Sequence, residues 1–515
     1  MKKKLLAGLT ALLCCFQTLP VLTAFAEDAT LGDVTQDSRI DIMDVILVNK
    51  SIFGRETLTD AQIQAADVNK NQKVDTSDSL LMMQYIVKLI EDFDGDSSKL
   101  KLSEFVTNLS ESVKSESVTG RTADDAFISG QTEFYLNLFK NAVKQEEKDK
   151  NILISPYSVV QALGMTANGA DGQTRSEMET VLGGGVALDD LNQYLYTQRT
   201  SQPDTENCKL RTANSIWYRD GGHLLSVEPD FLQINADYYG ADAFKAPFDK
   251  TTAKDINKWC AFNTDNMITR LYDEKEPLPE YTVMTLINAV CFDAKWSLPY
   301  MEYQIHENDF TAFDGTVSQV DMMYESNTYR NSQTSYIEDE NAVGFRKYYS
   351  DGKYAFVAML PDEGISIDEY VSGLTADSVQ ETLTNFYTTD KKMILTTGLP
   401  QFSYDYDISL VKPLSEMGMS TAFDDENADF SKMGKTDTEK LFIGNVKHKT
   451  HIEVTAAGTR AAAVTAVEMV AGDAAPVPEE TEYKSVILDR PFVYYIVDTD
   501  TNLPVFMGAV EQITK

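Results

Sequence analysis

The segment from Gly458 to Val467, near the C-terminus, constrains the fold of this chain more than any other segment. It reads Gly-Thr-Arg-Ala-Ala-Ala-Val-Thr-Ala-Val, a run of small and β-branched residues, and no proline follows until Pro476. Alternate residues would share one face of a strand, whereas the two charges, Arg460 and Glu468, both fall on the other face. The pattern predicts a strand with one buried face.

The residues that follow this segment have the opposite character. The stretch from Ala471 to Glu480 contains one glycine, two prolines and several acidic residues, which is typical of an exposed and cleavable loop. A segment that suits both an exposed loop and a sheet strand indicates a device with two structural states.

Length, charge and the N-terminal residues bound the class of protein. A chain of 515 residues predicts two or three domains, and a formal net charge of −35 disfavours nucleic acid and anionic membrane as partners. Residues 1–26 combine three lysines, an apolar run and the sequence Ala24-Phe25-Ala26, which predicts a secretory signal peptide. No later segment offers the ~20 apolar residues of a membrane span.

The cysteines add one further bound. Three of them follow the signal segment, namely Cys208, Cys260 and Cys291. Their odd number and wide spacing do not indicate a disulfide framework, although the chain is predicted to be exported. Either a reducing habitat or burial of the thiols accounts for this.

Two acidic segments near the N-terminus, Asp33–Asp44 and Asp67–Asp78, have the same spacing. Each places oxygen-bearing side chains at loop positions 1, 3, 5, 9 and 12, puts an aliphatic residue at position 8, and opens an apolar helix. Hard cations such as calcium need several such oxygen ligands at close range. The predicted metal-binding residues are Asp33, Thr35, Asp37, Arg39, Asp41, Asp44, Asp67, Asn69, Asn71, Lys73, Asp75 and Asp78, where Arg39 and Lys73 would contribute backbone carbonyls.

This duplicated arrangement over residues 30–91 resembles a type I-like dockerin, a small all-α module with two EF-hand-like calcium loops. The resemblance implies two calcium ions, binding to a cohesin domain of a scaffold protein, and residence on a cell-surface cellulosome. Partner choice in dockerins lies at the helix starts, which here are Ile42-Met43 and Thr76-Ser77. Because these two pairs differ, we expect that the two repeats do not dock interchangeably.

Residues 92–125 are rich in Ser, Thr, Glu, Lys and Asp, which predicts a solvated linker with a short amphipathic turn at Leu102–Val106. From Phe127 to Lys515 the composition becomes that of a large globular domain. Apolar residues at helical spacing come first, and strand-like runs follow at Thr282–Phe292, Tyr354–Leu360 and Val493–Val497. The combination predicts an α+β fold.

Over residues 127–515 an ordered set of motifs resembles the serpin family of serine protease inhibitors. The motifs are Asn151–Ser158 with Ala162–Met165 and Gly169–Thr174, Ile256–Trp259, Asn288–Phe292 with Trp296, Phe356–Pro361, Leu414–Phe423, Ala428–Ser431, and Arg490–Phe492 with Phe506–Gly508. The resemblance implies a serpin fold with three β-sheets, about nine helices and an exposed reactive loop that acts as bait.

In that family a protease cleaves the loop and is held as an acyl-enzyme while the loop inserts into the main sheet. The resemblance makes Gly458, Thr459, Ala461 and Ala463 the hinge of the loop. It places the reactive bond at Gly472–Asp473, with Met469, Val470 and Ala471 as alternative first-site residues. No basic residue lies in this window, which favours a subtilisin- or elastase-like serine protease over a trypsin-like one; a papain-like cysteine protease is an alternative target.

Two departures from the family concern the hinge. Ala456-Ala457 stands where the family has an acidic pair before the hinge glycine, and Arg460 replaces a usual Glu. An ion pair at the top of the main sheet is therefore predicted to be missing.

A polar cluster beneath the sheet, called the shutter here, is implied at Ser155, Ser158, Asn288 and His448. It would control the opening of the strands. His448 and His451 are not expected to form a metal pair, because strand residues three apart point to opposite faces.

The sequence leaves three functions to weigh. The favoured one is a secreted suicide inhibitor of serine proteases, not an enzyme, with a monomeric serpin domain that needs no cofactor. A non-inhibitory serpin that acts as a binding or storage protein is the main alternative, and non-inhibitory members carry bulky, charged or proline residues at inward hinge positions. A dockerin-borne polysaccharide-degrading enzyme is the third.

Overall fold

The computed structural model describes residues 30–514, apart from positions 38, 72, 88–92, 94–99, 111–112, 221–224, 281, 329–333, 386, 388–391, 437–439 and 460–480. The predicted signal segment lies outside the described residues. The chain divides into two compact units, Met1–Lys101 and Leu102–Lys515.

The first unit contains three helices, α1 (Ile42–Ile52), α2 (Asp60–Ala66) and α3 (Thr76–Ile86). Helices α1 and α3 begin in the same way, because the N-cap aspartate and the aspartate three residues later exchange hydrogen bonds with each other's backbone amides. A small apolar core includes Val34, Val45, Val48, Val68 and Met82. The all-α character predicted for this region is confirmed.

The α-helices of the second unit, within its described residues, are α4 (Asp125–Gln145), α5 (Pro156–Ala167), α6 (Gly172–Gly183), α7 (Leu188–Thr200), α8 (Pro229–Tyr239), α9 (Lys250–Asn263), α10 (Ile367–Gly373), α11 (Ala376–Thr384) and α12 (Val411–Glu416).

Its strands are β1 (Thr107–Asn108), β2 (Ile152–Ile154), β3 (Cys208–Arg219), β4 (Ser226–Val227), β5 (Asp242–Ala246), β6 (Met284–Lys295), β7 (Ile305–Thr311), β8 (Val317–Thr328), β9 (Thr334–Glu338), β10 (Ala342–Tyr348), β11 (Tyr354–Pro361), β12 (Lys392–Pro400), β13 (Phe402–Ser409), β14 (Gly434–Lys435), β15 (Lys447–Val454), β16 (Gly458–Thr459), β17 (Thr481–Ile487), β18 (Phe492–Asp498) and β19 (Pro504–Val510).

These strands form three large sheets, the number that the serpin resemblance implies. The main sheet has seven strands in the order β1-β5-β3-β6-β16-β15-β13. A six-stranded sheet has the order β2-β19-β18-β11-β10-β9, and a four-stranded sheet has the order β17-β12-β8-β7. The short strands β14 and β4 form a separate pair. The predicted strand segments correspond to β6, β11 and β18.

Helix α5 is buried among the sheets and helices of this unit. Ser155 caps it, Pro156 occupies its first turn, and nearly every residue from Pro156 to Ala167 is buried. A helix that is buried on all sides is typical of the interior of a large domain. It contacts β6 and β19, and therefore connects the main sheet to the six-stranded sheet.

The second half of the predicted linker differs from the expectation of a solvated chain. Strand β1 pairs with β5 at the edge of the main sheet, and the hydroxyl of Ser103 donates to Asp255 at 2.6 Å. Leu109 and Val113, four residues apart, pack against the apolar core. These two apolar residues supply the burial that a linker would lack, so residues 102–121 belong to the second unit.

The three cysteines are free thiols and are buried. Burial raises the pKa of Cys260 to about 12, so its thiol is protonated and unreactive at neutral pH. Within the part of the chain that the structure describes, no helix is long and apolar enough to cross a bilayer.

Candidate functional site

The hinge strand β16 lies inside the main sheet, between β6 and β15. Gly458 is level with Lys295 of β6, and Thr459 is level with Ala294 of β6 and Val454 of β15. All of these pairings are antiparallel. The start of the predicted reactive loop is thus already a strand of the sheet.

Close packing explains the glycine at the start of this strand. A Cβ atom at Gly458 would lie 2.1 Å from the carbonyl oxygen of Ala294 and 2.7 Å from the Cα of Lys295. Both contacts are with backbone, which cannot move aside cheaply. Any larger residue would therefore push β16 away from β6.

The next residue, Thr459, is 3% exposed and points inward. Its Oγ1 shares a hydrogen bond of 2.6 Å with the hydroxyl of Tyr349. The Tyr349 ring stacks on Trp296 with centroids 4.6 Å apart. Thr459 is therefore held by the six-stranded side of the domain as well as by its strand neighbours.

The turn that precedes the hinge is held by the chain that follows β6. The indole nitrogen of Trp296 donates to the carbonyl of Thr455 at 2.9 Å. The amides of Trp296 and Tyr300 donate to the carbonyls of Ala457 and Ala456, each at 2.9 Å. Alanines at 456 and 457 thus anchor the turn through their backbone atoms.

A buried ion pair that the sequence analysis did not identify lies close to this turn. The Lys347 ammonium is 2.7 Å from Glu325, and both side chains are almost wholly buried. The same ammonium lies 4.5 Å from the Tyr300 ring centroid and 5.7 Å from that of Trp296. Burial lowers the pKa of Lys347, and Glu325 opposes that shift. The signal available in the sequence was the basic pair Arg346-Lys347 within a strand that otherwise carries small, aliphatic and aromatic residues.

Below β16 the main sheet has a gap between strands β6 and β15. Among the described residues no backbone pairing joins β6 to β15, and a cavity of about 740 Å³ lies between them. It is lined by Leu286 and Asn288 of β6, His448 of β15, and Val159 and Leu163 of α5. With β16 as the spacer, the separation of β6 and β15 is about two strand spacings, or ~10 Å.

Three of the four shutter residues, Ser158, Asn288 and His448, line this cavity, and Ser155 is bonded to His448. The amide of Ser155 donates to His448 Nε2 at 2.9 Å, and the Ser155 hydroxyl donates to the carbonyl of Val505 at 2.8 Å. The Ser158 hydroxyl donates to Asn288, whose amide group donates in turn to Asn214 at 2.7 Å. The chain of bonds therefore runs from α5 to both sides of the gap.

His448 is the titratable member of this network. It is 6% exposed, and burial lowers its pKa to about 4. At neutral pH it is uncharged, with Nε2 free of a proton to accept the Ser155 amide. His451, three residues on, points outward and contacts Asp405 at 2.9 Å, so the two histidines lie on opposite faces as the sequence predicts.

The remaining predicted loop residues lie outside the described residues. These are the hinge alanines Ala461 and Ala463, the reactive bond Gly472–Asp473 and its alternatives Met469, Val470 and Ala471.

The two acidic loops of the first unit are closed by their own carboxylates. Asp44 is fully buried and accepts the amides of Thr35 and Asp41, each at 2.8 Å, and the Thr35 hydroxyl at 2.9 Å. Asp78 occupies the same position in the second loop, where it accepts the amides of Asn69 and Asp75. Burial raises the pKa of Asp78.

The predicted ligands not yet placed also lie in these loops. They are Asp33, Asp37, Arg39, Asp67, Asn71 and Lys73. Within the described residues, no group of three or more acidic, histidine or cysteine side chains converges on one point. The donor chemistry nevertheless fits calcium, because the side-chain ligands are all oxygen and the buried carboxylates carry charge that a cation would compensate.

Comparison with known proteins assigns the class. A model of the serpin (serine protease inhibitor) family matches residues 129–513, and a model of the type I dockerin domain matches residues 31–87. The chain therefore belongs to the serpin family, whose members are generally protease inhibitors, and it carries a type I dockerin domain as well. The serpin fold predicted from the sequence is confirmed.

Individual relatives agree with this assignment. A serpin-like protein of Thermococcus kodakarensis is 30% identical over 389 residues, which covers 74% of this chain and 84% of that protein. Neuroserpin of Mus musculus is 27% identical and covers 76% and 92%. The native structure of the thermophilic serpin tengpin has a TM-score of 0.71 at 41% identity, covering 79% of this chain and all of that one.

Proposed function

We propose that this protein is a secreted suicide inhibitor of subtilisin- or elastase-like serine proteases. It traps the protease as an acyl-enzyme when the cleaved loop inserts into the main sheet, and its dockerin holds it on a cellulosome scaffold. The observation that carries the proposal is the hinge: Gly458 and Thr459 already form a strand between β6 and β15. The chain that follows them is made of residues small enough to continue it.

The register of the hinge supports insertion along the whole gap. Each residue added to β16 moves one residue back along both β6 and β15, because both pairings are antiparallel. Ala461 then falls level with Phe292 and Ile452, which are buried. Thr465 falls level with Asn288 and His448, so its hydroxyl would reach the shutter network. The small inward residue Ala461 therefore meets buried partners on both strands, and Thr465 meets the polar shutter.

The energetics favour this movement after cleavage. A strand paired on both sides makes about two backbone hydrogen bonds per residue, one through its N–H and one through its C=O, each worth about 0.5–1.5 kcal/mol net. Over about a dozen residues the gain is on the order of 10–30 kcal/mol. The displacement spans tens of ångströms at about 3.3 Å per residue, and an active site tolerates misplacement of only about 1 Å. Deacylation of the trapped protease would therefore stop.

The dockerin domain supports the proposed location of the inhibitor on a scaffold protein. We propose that its loops bind two calcium ions and that α1 and α3 then dock to a cohesin domain. Calorimetric titration of the full chain with calcium should show binding, and Asp44→Ala should abolish the site in the first loop while the second persists. Equal calcium binding by this variant would contradict the assignment of the loop.

The inhibitor mechanism is tested by mixing the full chain with subtilisin, with pancreatic elastase and, as a control, with trypsin. We expect an SDS-stable complex with the first two enzymes. The released C-terminal fragment, identified by mass spectrometry, should begin at Asp473 if Gly472 is the first-site residue. Cleavage without any complex would instead indicate a binding or storage serpin.

The hinge variant Thr459→Arg sharpens this experiment. Thr459 is 3% exposed, so an arginine there would bury a charge and block insertion. We expect the variant to be cleaved as a substrate, whereas the matched control Thr459→Ser should still form the complex. Undiminished complex formation by Thr459→Arg would argue against loop insertion.

A further inference from the structure

Two carboxylates lie on the two strands that border the gap in the main sheet, immediately below the hinge. Asp293 lies on β6, one residue before Ala294, and Glu453 lies on β15, one residue before Val454. Thr459 is level with both Ala294 and Val454. Asp293 and Glu453 therefore stand at the same height on the two strands that border the gap.

Both carboxylates belong to the outer face of the sheet. Glu453 is exposed and Asp293 is half-buried, whereas their neighbours Ala294 and Val454 are buried on the inner face. On the far side of β6, Asp293 is level with Lys209 of β3. At this level the outer face of the sheet thus carries a positive charge on β3, a negative charge on β6 and, on the other side of the gap, a second negative charge on β15.

The next residue of the loop would enter between these two carboxylates. Continuing the register by one residue beyond Thr459 brings position 460 level with Asp293 on one side and Glu453 on the other. The residue at this position is Arg460, where serpins usually have a glutamate. In the inserted strand, parity would put its side chain on the outer face, which is the face that carries both acids.

We propose that Asp293 and Glu453 form an acidic receptor for Arg460, and that this receptor favours the first step of loop insertion in this protein. The inference rests on the proposed inhibitory function and deepens it, because it names the residues that receive the loop. With Arg460 in place the charges alternate across four strands, Lys209, Asp293, Arg460 and Glu453. Opposite charges on adjacent strands stabilise a sheet, and like charges directly opposite destabilise it.

The receptor gives a reason for the unusual hinge residue. A glutamate at position 460 would stand between two carboxylates and oppose insertion. An arginine is drawn into the same place, and its long side chain can reach either neighbour. The charge of residue 460 and the charges that border the gap therefore fit each other.

The proposal is tested by exchanging the charges in the full-length inhibitor. Three variants are compared with the wild type: Arg460→Glu, the double variant Asp293→Lys with Glu453→Lys, and the combination of all three. Inhibitor molecules consumed per trapped protease molecule are counted at low ionic strength. We expect a rise of about two- to fivefold for the first two variants and a return toward the wild-type value for the combination.

Two further readouts separate this role from a merely structural one. At about 1 M salt the differences should shrink, because the charges lie at the outer face and are screened. The control variant Glu340→Lys with Glu363→Lys makes the same change of net charge in exposed turns and should behave as the wild type. The melting temperatures of the uncleaved variants establish that each one folds.

The outcomes distinguish the inference from the function on which it rests. If the wild type forms no complex and gains no thermal stability on cleavage, the proposed function itself fails. If the wild type traps protease but all charge variants trap it equally well, or the combination is no better than the single changes, the receptor is overturned and the function stands.

Discussion

The six-stranded sheet and the main sheet of the serpin domain differ in how completely their strands are paired. Every residue of β11 is buried, and β11 is paired with β10 on one side and β18 on the other. In the main sheet, β6 and β15 are joined, within the described residues, only through the two residues of β16. The six-stranded sheet has no room for another strand beside β11. The main sheet has a strand position between β6 and β15, and β16 occupies only part of it.

This difference indicates where the molecule can gain stability. Contacts in the six-stranded sheet are already made, so they should contribute equally before and after the loop is cut. Contacts that border the gap change when a strand enters. Variants of the two regions should therefore respond differently to cleavage, and the predictions below use that contrast.

The largest effect is expected at the buried ion pair Glu325–Lys347. It connects β8 of the four-stranded sheet to β10 of the six-stranded sheet, which places it in the part that does not change. Lys347→Met leaves a buried carboxylate without its cation and should cost about 3–5 kcal/mol in the free energy of unfolding. Denaturant unfolding should show the same loss for the uncleaved and the cleaved protein.

The double variant Glu325→Leu with Lys347→Met is the control for this prediction. Removing both charges together should restore most of the loss, because neither is left unpaired. The exposed pair Lys144–Glu416 offers a second control, since Lys144→Met should cost no more than about 1 kcal/mol. If Lys347→Met lowered the stability of the uncleaved form only, the region around the ion pair would change on cleavage, and the contrast between the two regions would be wrong.

A smaller effect is expected from the protonation of His448 at the gap. Its pKa is lowered from the ordinary value near 6.5 to about 4 in the folded protein. The unfolded chain therefore binds a proton more readily between these values, so stability falls as the pH drops from 6.5 to 4. The full difference corresponds to about 3 kcal/mol.

The pH effect is measured as the difference between the wild type and His448→Gln. The variant should lack the part of the acid-induced loss that falls between pH 6.5 and 4. Other titrating groups, such as Glu511 with its pKa raised to about 7 by burial, are present in both proteins and cancel. His451→Gln, at the exposed histidine, should retain the full loss; identical pH profiles for all three proteins would show that His448 does not control the stability of the gap.

Parts of this architecture could be predicted from the sequence because they repeat local patterns. The alternation from Thr459 onward and the duplicated acidic loops are read residue by residue, and the ordered motifs led to the serpin fold. The four shutter residues lie far apart in the chain. Only the family resemblance linked Ser155 to His448, and the structure brings them within hydrogen-bonding distance.

Other parts depend on packing that no local pattern records. Glu325 and Lys347 lie on strands of different sheets, and nothing in the spacing of the two residues relates them. Residues 102–121 are attached through strand β1, through Ser103 and through the apolar side chains of Leu109 and Val113, within a polar segment whose average composition predicts solvation. In both cases the informative residues are few, and their partners lie far away in the chain.

The smallest effect is expected where the two regions touch, at the hydrogen bond between Tyr349 and Thr459. Tyr349→Phe keeps the stacking on Trp296 and removes only the hydroxyl, which should cost about 1 kcal/mol of hinge stability. Amide hydrogen exchange at Thr459 should then be about fivefold faster, whereas exchange within β11 should be unchanged. Tyr404→Phe, which removes a different buried hydroxyl bonded to Tyr494, should leave Thr459 unaffected. Insertion has to start from a fixed register, so β16 must stay paired in the sheet. Faster exchange at Thr459 should therefore accompany a small rise in the fraction of inhibitor that is cleaved as a substrate. Equal exchange in all three proteins would mean that the backbone ladder alone holds the hinge.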